Sequence, residues 1–333
     1  MAPDPAGDGA EAGPLTSATP ALPGRSPKPT ISYSIEYAKY EVRGERMHTL
    51  LCRLVLLVVL CAPSSAQRPW PAPPSSGLFS GDDWDGVPLI SGARKPLNAT
   101  QWHGVFRTTR RPYNASLAIF DARDWSVVLP ANGCELHTAT SASARGAGCA
   151  YATNAGFFDF PPHAACEGNL ALGGRVVQFL SPDRVNLAVN ASHALVGYST
   201  AATVGAAQPA SLVSGLGWLV RGGASYVNRS REYAPGSSFF TEWAPRTGAG
   251  WRSDGAGLLL TVDGIEGTSA AAGCDLFEFT DLLIELGVHT AMNLDGGGST
   301  TAVLNGKTYN TPHCADTWEV CERDVTSITC VKA

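Results

Sequence analysis

The sequence predicts an α+β fold: mainly antiparallel sheets with few packed helices, stapled by disulfides, with the site at strand ends and loops. Three observations carry this expectation. Short runs rich in β-branched and aromatic residues recur along the chain between Gly, Asp and Pro. One stretch alone, Asp275–Leu286, carries a strong amphipathic helical pattern. Seven cysteines follow an N-terminal segment of leader type, which suits an oxidising compartment.

The leader comes first in the chain. Arg53 precedes a short apolar core from Leu54 to Ala62, and Ser64-Ser65-Ala66 offers a small-residue cleavage site. Residues 47–66 therefore read as a signal peptide, too short for a bilayer span of ~20 apolar residues. The polar, Pro/Gly-rich residues 1–46 are expected to be a disordered extension ahead of a start at Met47, the product of a gene model. Residues 67–95 read as a Pro/Ser-rich linker and 96–333 as the folded domain. Residues 1–66 hold six basic and six acidic side chains, so the remainder keeps the whole chain's net charge of −5. No basic run marks a nucleic-acid or anionic-membrane surface, and no later segment is apolar enough for a transmembrane anchor. Four sequons, at Asn98, Asn114, Asn190 and Asn228, agree with a lumenal route. The expected location is the secretory lumen, Golgi included, or the exterior.

Within the domain, Ser116–Phe120 and Ser126–Leu129 read as strands. Trp218–Arg221 and Ala224–Val227 flank Gly222-Gly223, a two-residue hairpin signal. Leu258–Val262 is a strand running into Asp263-Gly264. In the helix, Leu276, Phe279, Leu283 and Leu286 share a face, Gly287 suits the C-terminal cap, and Glu278, Asp281 and Glu285 read as a solvated face. Beyond the two leader cysteines stand Cys134, Cys149, Cys166, Cys274, Cys314, Cys321 and Cys330. Their spacing gives no zinc pattern, and by itself it does not give the pairing.

The densest chemical signal is the run from Ala291 to Gly306. An apolar strand ends in Asp295; Gly296, Gly297 and Gly298 follow, then Ser299, Thr300 and Thr301. A carboxylate at a strand end, beside backbone able to approach a ligand and expose N–H groups, suits work on a sugar or phosphate. Standing alone, Asp-Gly-Gly-Gly reads equally as a hairpin turn.

Further segments follow in order: Asn154-Ala-Gly-Phe-Phe158, Cys166-Glu-Gly-Asn169, Ser214-Gly-Leu-Gly-Trp-Leu-Val-Arg221, Arg246-Thr-Gly-Ala-Gly250 and Asp263-Gly264. Together with Asp295–Ser299 they resemble the motif series of the phosphodiester glycosidase family, over roughly residues 98–333. The resemblance implies a phosphodiester glycosidase catalytic domain over 96–333. It also implies the pairs Cys134–Cys166, Cys149–Cys330 and Cys314–Cys321, with Cys274 left as a thiol. Glu167 departs from the pattern, standing where the family carries an apolar residue.

The implied substrate is a sugar joined through its anomeric oxygen to a phosphodiester: N-acetylglucosamine on the phosphate of a phosphoglycan, carried by a glycoprotein and uncovered as mannose 6-phosphate. The leaving phosphate departs as a stable anion, so a strong general acid matters less than in ordinary glycoside hydrolysis. The site needs cationic or N–H donors for phosphate and a carboxylate at the anomeric centre. Asp295 is the leading carboxylate, Arg246 the guanidinium fork and Asp263 the second acid. Asn154, Asn169 and Ser214 are expected to hold sugar hydroxyls or to brace turns, and Gly296, Gly297, Gly298 and Ser299 to offer backbone donors. No cofactor is predicted and no His pair suggests zinc; a hard cation such as calcium beside the carboxylates stays open. Alternatives are another glycan or cell-wall phosphodiester, or a catalytically silent carbohydrate-binding module. Oligomeric state is not legible.

Overall fold

Alternation along two strands sets the layering. Leu258 and Leu260 enter one apolar cluster and Leu259 another; Ala115 and Leu117 fall in the first cluster, Ala118 and Phe120 in the second. Period-two alternation with both faces apolar means a sheet covered on both sides. The computed structural model describes residues 83–89, 91–130, 133–160, 165–232, 237–266 and 272–333. The extension, the signal peptide and the first part of the expected linker lie outside these.

The central sheet has seven strands in the order Ala224–Ser225, Trp218–Arg221, Val288–Asn293, Arg246–Arg252, Ala256–Val262, Pro112–Asp121, Asn98–Val105. Every pairing in it is antiparallel. One face meets the helix Leu276–Glu285 through Leu276, Phe279 and Leu283, all fully buried. Phe279 lies so close to the sheet that a Cβ on Gly248 would come within 2.6 Å of its ring, which explains the glycine of the Arg246–Gly250 motif. The other face packs Trp218, Trp251 and Met292 against a six-stranded antiparallel sheet that supplies Leu187, Val189, Ala194, Val196 and Val213. A five-stranded sheet centred on Tyr151–Asn154 and Ile328–Val331 completes the core, with the helix Thr140–Ala147 against it.

The helix at 276–285 opens with a capping box. The Asp275 side chain accepts from the Glu278 N–H at 2.8 Å, and Glu278 Oε2 accepts from the Asp275 N–H at 3.2 Å. This corrects the reading of Glu278 as part of a solvated face. Glu278 is buried and paired with Arg111 at 2.6 Å, while Asp281 and Glu285 are exposed as expected. The hairpin at Gly222-Gly223 has positive φ at both glycines, 59° and 75°, as a tight two-residue turn requires.

The linker expectation also needs correction at its C-terminal end. Trp84–Pro88 is an edge strand paired with His193–Gly197, and Trp84 and Val87 are buried. Asp85, Gly86 and Pro88 within it hide the strand pattern. The sequon residues Asn98, Asn114 and Asn228 are exposed. Asn190 is half-buried, its Oδ1 accepting from the N–H groups of Ser192 and His193. No helix among the described residues is long and apolar enough to cross a membrane.

Three disulfides join Cys134 to Cys166, Cys149 to Cys330, and Cys314 to Cys321; Cys274 is a buried thiol. The second spans 181 positions and ties the last strand to the turn after the helix at 140–147. Loss of a native bridge typically costs about 2–5 kcal/mol. Cys330→Ala is therefore expected to cut secreted yield and melting temperature sharply. Cys274→Ala, which breaks no bond, should leave both near wild type. Non-reducing peptide mapping that found Cys274 in a bridge would refute this.

Candidate active site

Several strands end at one place. Strand Val288–Asn293 lies between Trp218–Arg221 and Arg246–Arg252, and the chain leaves it through Leu294 and Asp295. The Leu294 N–H donates to the Thr247 carbonyl at 2.8 Å, and the Asp295 N–H to the Ala155 carbonyl at 3.0 Å. Asn154, at the end of strand Tyr151–Asn154, donates its amide to the Asp295 carbonyl at 2.6 Å. Its Oδ1 accepts from the Thr247 hydroxyl at 2.9 Å and the Thr301 N–H at 3.2 Å. The backbone of Asp295 is thus clamped between the central and the five-stranded sheets. Asn154 is fully buried, and its amide holds the Asp295 backbone.

Burial pushes the Asp295 carboxyl up to about 7, with Glu266 pushing the same way; the Ser299 hydroxyl, Arg323 and the Gly296 N–H oppose it. The Gly296 N–H donates to Asp295 Oδ1 at 3.0 Å. Glu266 is also raised by burial, then by Asp316 and Glu242, against the pull of Arg246 and Arg323. Four carboxyl groups, of Asp295, Glu266, Asp316 and Glu242, and two guanidinium groups, of Arg246 and Arg323, therefore act on one another in one half-buried region, a pattern frequent at catalytic centres.

The glycines make room for these side chains. A Cβ on Gly297 would stand 2.0 Å from Glu266 Oε2 and 3.8 Å from Asp316 Oδ1. Gly297 also has φ of 54°, in the left-handed region. A Cβ on Gly298 would meet Arg323 Nη2 at 2.3 Å and the Cys314 carbonyl at 2.7 Å. The expected cradle of N–H donors is largely closed, because residues 297–299 form a 3₁₀ turn. The Gly296 N–H serves Asp295, the Gly297 N–H bonds the Pro245 carbonyl, and the Ser299 N–H bonds the Gly296 carbonyl.

Arg246 is 2% exposed. Its Nε donates to the Cys274 carbonyl at 3.2 Å, and its Nη2 to the carbonyls of Phe239 and Glu242 at 3.2 and 2.9 Å. The fork expected to meet phosphate is thus engaged with backbone: Arg246 fixes the loop at 239–245, and its positive charge acts on Glu266. Arg323 was not singled out from the sequence, and it is more open. Its Nε donates to the Cys314 carbonyl at 2.9 Å and its Nη2 to Asp316 at 2.8 Å, leaving Nη1 without a hydrogen bond among the described residues. Glu266 was missed as well. Both lie within three residues of a motif residue, Asp263 or Cys321, and that proximity was the one available signal.

Asp263 is raised to about 6 by burial, against hydrogen bonds from Asn310 and the Thr311 N–H. Asn310 donates to it at 2.9 Å and to the Thr300 carbonyl at 3.1 Å, so Asp263 braces the far side of the glycine turn. Asn169 and Ser214 belong to an internal network. The Asn169 amide donates to the Ser181 carbonyl and to Asn186; its Oδ1 accepts from the Leu180 and Ser181 N–H groups. The Ser214 hydroxyl accepts from the Asn169 N–H and donates to Asn186. The contacts of both side chains are with backbone groups of the chain and with Asn186. Glu167 shares a hydrogen bond with Asp159, and burial raises its carboxyl first of all. It lines a small cleft with Gly156, Phe157, Asn169, Ser214 and Ser327. Among the described residues no three His, Cys, Asp or Glu side chains are grouped to hold a metal ion.

A family model for phosphodiester glycosidases matches residues 147–332. N-acetylglucosamine-1-phosphodiester alpha-N-acetylglucosaminidase from Bos taurus is 31% identical over 268 residues, covering 75% of this chain and 50% of that protein. The Homo sapiens protein of the same description is 30% identical over 268 residues, with 75% and 51% covered. The chain thus spans about half the length of the curated relatives it matches. Among solved structures, the zebrafish catalytic domain of that description, auto-inhibited by its pro-peptide, superposes with a TM-score of 0.66. It is 25% identical, with 75% of this chain and 88% of that chain covered.

Proposed function

The chain belongs to the phosphodiester glycosidase family, and from that premise we propose that it hydrolyses a sugar-1-phosphodiester at the anomeric C–O bond. The preferred substrate is N-acetylglucosamine-1-phospho-6-mannose on a glycoprotein, met in the secretory lumen or outside the cell. The observation that supports the reading is a half-buried carboxyl, Asp295, raised to about 7 and acted on by the charge of Arg323, whose guanidinium keeps Nη1 open among the described residues.

The roles follow from the chemistry. As the C1–O bond breaks, its electron pair passes to the phosphate oxygen, and the released phosphomonoester carries one more negative charge. In this reading Arg323 meets that charge, and the buried Arg246 adds to the field. Asp295, ionised, stabilises the positive charge developing at C1 and takes the proton of the incoming water. Glu266, on which the charge of both arginines acts, helps to raise Asp295 by its own negative charge. Asn154 and Asp263 hold the turn that carries Asp295. Water ends on the sugar, and no redox partner is needed.

The test is product identity. Purified protein incubated with N-acetylglucosamine-1-phospho-6-mannose is expected to release free N-acetylglucosamine and mannose 6-phosphate. Release of N-acetylglucosamine 1-phosphate would place the cut on the other side of phosphorus. Binding without turnover would favour the silent-module reading.

A further inference from the structure

Two large apolar side chains remain in solvent on segments that meet Arg323. Phe160 is 58% exposed and Trp318 is 67% exposed. The Phe160 ring lies 5.4 Å from the Arg323 guanidinium carbon and 5.4 Å from the ring of Phe158, which is buried. Trp318 rides on the loop closed by Cys314–Cys321, edge-on to His313 at 5.9 Å. Arg323 grips the base of that loop through the Cys314 carbonyl and Asp316. The same Cys314 carbonyl would stand 2.7 Å from a Cβ on Gly298, three residues beyond Asp295. The disulfide and Arg323 thus restrain the loop that carries this exposed tryptophan, which lowers the cost of ordering it when a ligand arrives.

The order of groups in the substrate supplies the occupant. With C1 at Asp295 and the phosphate at Arg323, the sugar on the leaving side lies past Arg323, and Phe160 and the Trp318 loop border Arg323. A pyranose presents a face of C–H bonds that an aromatic ring can cover, removing apolar area from water. We propose that Phe160 and Trp318 form the platform for the leaving-group sugar and so set the preference for a phosphate carried on a hexose. The proposal rests on the reading of the site as a sugar-phosphodiester centre.

Calorimetric binding of mannose 6-phosphate and of methyl phosphate to the wild-type chain, Phe160→Ala and Trp318→Ala tests it without needing turnover. Wild type should bind mannose 6-phosphate at least fivefold more tightly than methyl phosphate. Each variant should lose most of that ratio while its methyl phosphate affinity holds. Equal affinity for both ligands in wild type, or an unchanged ratio in either variant, would overturn the platform. Turnover of N-acetylglucosamine-1-phosphomethyl, which lacks the second sugar, is measured in parallel. Its failure in wild type would count against the catalytic reading, whereas a loss in the variants equal to that on the mannose diester would count against the platform.

Discussion

Asp295→Asn is expected to abolish turnover while the protein still folds and is secreted. The substitution keeps shape and removes charge and basicity, and losing a positioned base typically costs about 10²–10⁴-fold. The folded protein offers an internal control. Burial raises the Asp295 carboxyl to about 7, well above its value in an unfolded chain. The unfolded state therefore binds fewer protons than the folded state between about pH 4 and 7, and ionisation of Asp295 subtracts stability as pH rises through that window. Asp295→Asn escapes this penalty, so its melting temperature at pH 8 should equal or exceed that of wild type. In wild type the ionised form is the active one, so kcat/KM should climb as pH rises toward about 7 and then level off. Near-wild-type activity in a folded Asp295→Asn protein would remove this residue from the mechanism.

The second large effect separates two arginines. Arg323→Ala is expected to lower kcat/KM on a phosphodiester by roughly 10²–10³-fold, the scale of losing one well-placed donor to developing charge. Arg323→Lys should do less harm, because it keeps charge and loses the planar fork. Neither change should matter much for an aryl α-N-acetylglucosaminide, which has no phosphate. Arg246→Lys should behave differently. Its guanidinium holds three backbone carbonyls, so the substitution is expected to loosen the 239–245 loop and damage both substrates alike. Equal losses on both substrates for Arg323→Lys would remove Arg323 from the phosphate.

Much of this architecture was legible where the pattern is local. The helix at 276–285 announces itself by period and cap, and the Gly222-Gly223 hairpin by its dipeptide. The six-stranded sheet was not legible. Its strands Asn186–Val189, His193–Gly197 and Ser211–Ser214 are short and wholly buried, so they show no alternation to read. Glu278 misled because helical spacing places it beside other acids, whereas its partner Arg111 lies 167 positions away. The site divides the same way. Asp295 stood out because a glycine turn follows it at once in sequence. Glu266 and Arg323 reach it only through the fold, and the space they need is recorded as the missing Cβ atoms of Gly297 and Gly298. The polar motif residues Asn154, Asn169 and Ser214 were legible as motif members, but their hydrogen bonds point inward.

The claim that cleavage falls on the carbon side of the bridging oxygen is open to one direct measurement. N-acetylglucosamine-1-phospho-6-mannose is hydrolysed in water enriched in ¹⁸O, and the products are weighed by mass spectrometry before the anomeric oxygen exchanges. The account predicts the label on the anomeric hydroxyl of N-acetylglucosamine, with mannose 6-phosphate unlabelled. Label in a phosphate group would contradict it, and would make this site a phosphodiesterase.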